Sequence, residues 1–278
     1  MSADTSKKDL SGIVVVVTGS SRGIGRGAAL AFGERGATVY VTGRTTGGGH
    51  LSIEETAELV NGAGGKGVAV QVDHGDDGQI ASLFERVGSD HGKLDVLVNN
   101  VYKIPNPPAW GGGFWDHPIS VWDDQVGIGC RAHYVASWHA AKLLFAANPS
   151  AERPGFICNV SSPGGQSYHF SSSYGAGKAS LDRLSADMAI ELRPNNVACV
   201  SLYPGSVATE FIVEWSGKRG SDLALSQTPL GVGRTISTLA TATDLMERSG
   251  SIQWVEDVSR DFDVRDENGN LAPAYTRR

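Results

Sequence analysis

Cysteine is scarce in this chain of 278 residues: only three, at positions 130, 158 and 199, far apart and odd in number. That count excludes a disulfide framework and a CxxC redox pair, and the expected setting is a reducing, cytoplasmic one. Long hydrophobic runs are lacking too. None exceeds residues 13–17, too short to span a bilayer, and the first ten residues carry no apolar signal-peptide core. Excess charge of one sign is small, 24 Lys and Arg against 30 Asp and Glu. Without a basic run, neither nucleic acid nor an anionic membrane is expected as a partner. The seven histidines fall into no HExxH or Cys/His spacing, so no metal is expected.

What the chain has is glycine, 36 residues, about twice the ordinary share. Tight turns or close backbone approaches follow from that number. The hydrophobic period switches repeatedly between strand and helix. Short apolar runs at 13–17, 37–42, 67–72, 94–98, 155–160, 197–202 and 251–255 read as strands. Helical spacing over 24–34, 52–61, 79–87, 121–147, 174–192 and 232–240 fills the intervals. Seven such strands predict one α/β domain over 1–278, a Rossmann-type doubly wound seven-stranded parallel sheet with helices on both faces. Residues 1–10 and 256–278 are expected as polar tails. Residues 103–120, rich in Pro, Gly and Trp, read as an insertion loop and 210–229 as a substrate lid. Both follow strands, hence lie at the carboxyl edge of the sheet, where ligands bind in such folds.

Between the first strand and first helix stands TGSSRGIG, residues 18–25. Glycines at 19, 23 and 25 let the backbone approach a pyrophosphate, and the helix N-terminus offers free N–H groups and a positive dipole. Ser21, Arg22 and Ile24 complete the turn. The second strand ends at Arg44, with no Asp or Glu there to accept from a ribose 2′-hydroxyl. Arg22 and Arg44 suit a 2′-phosphate instead, so NADP(H) is expected over NAD(H). Asp73, past the third strand, is placed to accept from the adenine amino group, to cap the next helix, or both.

Tyr174 and Lys178 stand four residues apart in YGAGK, on one face of one helix. A phenol titrating near about 10 is a poor proton shuttle at neutral pH, and a neighbouring cation draws it down. Ser161 and Ser162 end the preceding strand, where a hydroxyl can hold a substrate carbonyl. His133 is weighed as a second side chain near the site but reads more readily as a packed helix histidine. Trp110 and Trp115, with Phe114 and Tyr102, either line an apolar pocket or anchor the long loop.

With TGSSRGIG, Asp73, NN (99–100), SS (161–162), YGAGK and PGSVAT (204–209), the chain resembles the short-chain dehydrogenases/reductases over nearly its whole length. TVYVTGR, LDVLVNN, WDD, RAHY and SSPG resemble the member 1 subgroup. The resemblance implies an oxidoreductase moving hydride between NADP(H) and a small carbonyl or alcohol. It implies Tyr174 as general acid and Lys178 as the group that lowers its pKa and bonds the nicotinamide ribose. It implies that Asn99 and Asn100 secure the fourth strand beside the adenine ribose. Pro204, Gly205, Val207 and Thr209 would flank nicotinamide and diphosphate. The family's spacing selects Ser161 as the serine that orients the carbonyl; the register of the following Pro-Gly-Gly selects Ser162, which we prefer. A homodimer or homotetramer is implied.

Two positions depart from the family pattern. Tyr102 stands where glycine is usual, and Gly129 where an asparagine completes the proton relay. A backbone carbonyl near Gly129, holding a water, is the expected substitute. The alternatives are a dinucleotide-binding regulator or scaffold of the same fold with weak catalysis, and an epimerase or dehydratase of the extended relatives.

Overall fold

The structure, a computed structural model, describes residues 9–219 and 222–275. Seven strands are β1 (Val14–Val17), β2 (Thr38–Gly43), β3 (Lys66–Gln71), β4 (Val96–Asn99), β5 (Gly155–Val160), β6 (Val197–Tyr203) and β7 (Ile252–Trp254). They pair in parallel in the order β3-β2-β1-β4-β5-β6-β7, the doubly wound arrangement expected. The sheet is apolar on both faces because both are covered. Along β1, Val15 and Val17 join one core layer and Val14 and Val16 the other.

The first layer is closed by α1 (Gly23–Gly33), α2 (Ile53–Gly62), α8 (Pro229–Leu239) and α10 (Val255–Asp261). Glycine lets α1 and α8 cross at backbone contact. A Cβ on Gly233 would lie 2.1 Å from the carbonyl oxygen of Gly27, and one on Gly27 would lie 2.0 Å from that of Pro229. The opposite layer holds α3 (Asp77–His91), α5 (Ala132–Ala146) and α6 (Ser172–Leu192). The expected helix over 121–147 is one continuous rod of α4 (Ser120–Trp122), a π-helical stretch (Asp123–Arg131) and α5. Wide π turns inside α-helices often mark functional sites.

The C-terminal stretch differs from the sequence reading. Residues 1–8 and 276–278, and 220–221 of the lid, lie outside the described residues. Leu10 is buried. The stretch from 256 is no loose tail: α10 buries Val258 and Ser259, and the chain runs on to Tyr275, which stacks on Trp254 with ring centroids 5.7 Å apart. The stretch expected as a lid begins with α7 (Glu210–Arg219), and the short α9 (Leu245–Arg248) precedes β7. Among the described residues no helix is long and apolar enough to cross a membrane, and no three metal-ligating side chains gather.

Candidate active site

Between β1 and β4 the strand order reverses, and a cavity of about 640 Å³ opens at their carboxyl ends. Apart from Gly25 and Asn99, every residue expected at a cofactor or at the reaction lines it. Those two stand behind the wall. A Cβ on Gly25 would lie 2.4 Å from both Asn100 Nδ2 and the Gly19 carbonyl oxygen, so Gly25 makes room for the Asn100 amide. That amide donates to the carbonyls of Thr18 and Gly19, each at 2.9 Å, and pins the turn to β4. Asn99 is fully buried and ties β4 to β5, donating to Asn159 Oδ1 at 2.9 Å. Gly19 and Gly23 take φ of 65° and 57°, the left-handed region the turn requires.

At the N-terminus of α1, Arg22 provides no side-chain cap. Instead the carboxylate of Glu210, first residue of α7, accepts from the Gly23 N–H at 2.8 Å. An anion already fits this cradle, supplied by the protein itself. At the far end of the cleft, Arg22 donates to Thr45 Oγ1 at 3.1 Å, and Arg44 lies exposed, 3.9 Å from Asp73. Thr45 was not anticipated from the sequence; nothing but its place after Arg44 marks it. Asp73 is not the cap of α3. Asp76 is, accepting from the backbone N–H groups of Gly78 and Gln79, while the Asp73 carboxylate accepts from Gly75 N–H at 2.9 Å. His74, also unanticipated, lines the cavity with Nε2 2.9 Å from Thr42 Oγ1, and burial pushes its pKa down to about 4.

At the other end Ser171 caps α6, its side chain accepting from the Tyr174 N–H, and one helical turn separates Tyr174 from Lys178. The Tyr174 phenol shares a hydrogen bond with Ser162, whose Oγ also accepts from Gly164 N–H at 3.1 Å. Ser161 is buried beside α6, with Oγ 3.5 Å from the Lys178 carbonyl. The expected lowering of the phenol's pKa is corrected: burial pushes Tyr174 up to about 12, and the Ser162 hydrogen bond only partly opposes it. Lys178 Nζ donates to the Val160 carbonyl at 3.0 Å and sits 6.0 Å from the Tyr174 ring centroid. Burial also draws Lys178 down to about 8, against the pull of Asp182. His133 is a packed histidine. Its Nε2 donates to the Val101 carbonyl at 2.8 Å, and burial, then Lys178, push it down to about 3.

The aromatic residues divide. Phe114 and Trp115 are exposed, whereas Tyr102 lines the cavity with Ile104, Phe211 and Ile212. Trp110 backs this side, its ring 5.9 Å from Phe211 and 4.7 Å from Trp215, and stacks on Phe170, which meets Tyr174 edge-on at 5.1 Å.

The model of the family described as short chain dehydrogenase matches residues 13–220. The chain belongs to the short-chain dehydrogenase/reductase family. This short-chain dehydrogenase/reductase is 39% identical over 283 residues to Dehydrogenase/reductase SDR family member 1 of Mus musculus, covering 96% of this chain and 87% of the relative. The Homo sapiens protein of that name is 38% identical over the same coverage. The expected member 1 subgroup is thereby supported. A putative dehydrogenase from Xanthomonas campestris shares the fold, with a TM-score of 0.80 at 24% identity over 95% of each chain. As a short-chain dehydrogenase/reductase, the protein is an oxidoreductase.

Proposed function

We propose that this protein reduces an apolar carbonyl compound to its alcohol, or catalyses the reverse reaction, with NADP(H) preferred over NAD(H). The observation that carries the reading is one cavity joining the anion-holding N-terminus of α1 to the Ser162–Tyr174–Lys178 cluster. When bound, the dinucleotide supplies the hydride. Gly23 and its neighbours hold the diphosphate once Glu210 withdraws. Arg22, Arg44 and Thr45 face the 2′-phosphate, and Asp73 the adenine amino group. Pro204, Gly205, Val207 and Thr209 flank the nicotinamide end. Ser162 orients the carbonyl oxygen and Tyr174 protonates it. A phenol whose pKa stands at about 12 is fully protonated at neutral pH, the state an acid must begin from. Lys178, held by Val160, presents its ammonium to the nicotinamide ribose.

Ile104, Phe211 and Ile212 support an apolar substrate, and among the described residues lining the cavity the one cation besides Lys178 and the two arginines, Lys103, is paired with Asp124 at 2.6 Å. Trp138 and Ile190, largely exposed on α5 and α6, support the homodimer or homotetramer that the family resemblance implies. The test is NADPH consumption over a panel of apolar ketones, aldehydes and quinones. Tyr174→Phe should lose at least about a hundredfold in turnover while binding NADPH nearly as before, because only the proton donor goes. Near-full turnover in that variant on the best substrate would refute the assignment.

A further inference from the structure

The two departures from the family pattern meet in space. A Cβ placed on Gly129 would lie 3.2 Å from Cδ2 and 3.4 Å from Cε2 of Tyr102, so the phenol ring faces the helix where the expected water-holding backbone stands. The ring continues to Lys178, whose Nζ lies 5.3 Å from its centroid. An ammonium at that distance from an aromatic ring is attracted by the ring's quadrupole, most strongly where water is excluded. Lys178 has one carbonyl partner, Val160, and is itself buried.

Tyr102 is fixed at both ends. His133 holds the carbonyl of Val101 just before it. Its hydroxyl accepts from Gln125 Nε2 at 3.3 Å, and Gln125 Oε1 accepts from Ser171 Oγ at 3.0 Å and from Ser173 Oγ. Ser171 is the cap of the helix bearing Tyr174 and Lys178. The π-helical stretch can lie this close because α6 has glycine between the two reactive residues. A Cβ on Gly177 would come within 2.7 Å of the Gln125 carbonyl oxygen.

We propose that Tyr102 is a positioning residue that takes over from the missing fourth-helix side chain: its ring seats the Lys178 ammonium, and its hydroxyl, through Gln125, locks that seat to the cap of α6. The proposal rests on the functional reading above for its catalytic meaning, but its physical content does not. Burial raises the Tyr102 pKa, so the ring remains a neutral phenol throughout the range in which Lys178 titrates. The other ionisable groups facing Lys178 are Asp182 and Tyr174 on its own helix, Cys130 on the π-helical stretch and His133 on α5. None of them is altered by the variants below.

The experiment titrates Lys178 directly, by the ¹⁵Nζ chemical shift of the full-length protein, assigned by its loss in Lys178→Met. The parent midpoint is expected at about 8. Tyr102→Leu should lower it by about half a unit to one unit, since an ammonium deprived of the ring loses its proton more readily. Tyr102→Phe, which keeps the ring, should shift it by less than half as much. Gly129→Asn should lower the midpoint in the parent, because the new side chain pushes the ring from its seat, yet raise it in the Tyr102→Leu background, a reversal of sign that lost packing alone does not produce. Thermal melts confirm that each variant is folded; should Tyr102→Leu fail to fold, Tyr102→Met in its place carries the same expectation. An unmoved midpoint in a folded variant without the ring, or equal shifts with Phe and Leu, would overturn the proposal. The functional reading fails separately, if Tyr174→Phe keeps its turnover.

Discussion

Replacing Glu210 by Gln should tighten NADPH binding. In the structure the Glu210 carboxylate accepts from the Gly23 N–H at 2.8 Å, on the N-terminal turn of α1, where the diphosphate is proposed to sit. A dinucleotide must displace that carboxylate and then tolerate a like charge beside its own phosphates. A hydrogen bond to a charged group contributes roughly 1.5–3 kcal/mol when well shielded. The site is only part-buried, and an amide retains some of the bond, so a net gain of about 1–2 kcal/mol is the appropriate scale. That corresponds to a roughly five- to thirtyfold lower Kd. Fluorescence titration of parent and Glu210→Gln with NADPH and with NADH measures it. Both cofactors carry the same diphosphate, so both should gain equally and their ratio should stay put. The gain should also shrink at high ionic strength, where charge repulsion is screened. Unchanged or weaker binding, or a gain confined to one cofactor, would refute the reasoning.

Arg44→Asp should invert the cofactor preference, because it removes one partner of the 2′-phosphate and adds a repelling charge; equal NADPH and NADH affinities in the parent would already contradict the proposed site. In pH profiles, reduction should hold level at neutral pH and fall as Lys178 loses its proton through about 8, while Tyr174 stays protonated far beyond that point. Oxidation, which needs the phenolate and the ammonium together, should rise with pH up to the Lys178 midpoint and level off above it, where the growing phenolate fraction is offset by loss of the ammonium; a reduction limb extending flat to pH 10 would count against Lys178. Gly233→Ala should destabilise the fold by at least about 2 kcal/mol in chemical denaturation, since its Cβ would meet the Gly27 backbone at 2.1 Å and neither helix can yield cheaply.

The parts of the molecule that local sequence made legible are those whose physics is local. The glycine turn at 19–25 and the four-residue spacing of Tyr174 and Lys178 need only neighbouring residues to be recognised. The same is true of each strand, and the alternation of strands with helices sufficed for a doubly wound parallel sheet. What escaped depends on distant chain segments meeting. Tyr102 and Gly129 each read as a loss relative to the family, and only the contact between them turns two irregularities into one exchange. Nothing local in the sequence marks Glu210 as a partner of the glycine turn; α7 brings its carboxylate to Gly23 from 187 residues away. The direction of the Tyr174 shift was misjudged because spacing reveals a nearby cation but not the burial that outweighs it. The run from 256, polar in composition, buries one face of a single short helix, too little periodicity to stand out.

That late segment has a consequence for how the protein comes into being. Tyr275 hydrogen-bonds through its hydroxyl to His169 Nε2 at 3.0 Å, next to Phe170, whose ring abuts Tyr174. A Cβ on Gly205 would lie 3.4 Å from the Tyr275 ring. The wall of the reaction site is thus backed partly by residues synthesised long after the proton donor. During translation, at about 5–20 residues per second, the sheet up to β6 can condense while this backing is still inside the ribosome. A nascent chain therefore owns its acid and its lysine for several seconds before it owns an enclosed place in which to use them, and water has free access to both until the last strand and the segment after it dock.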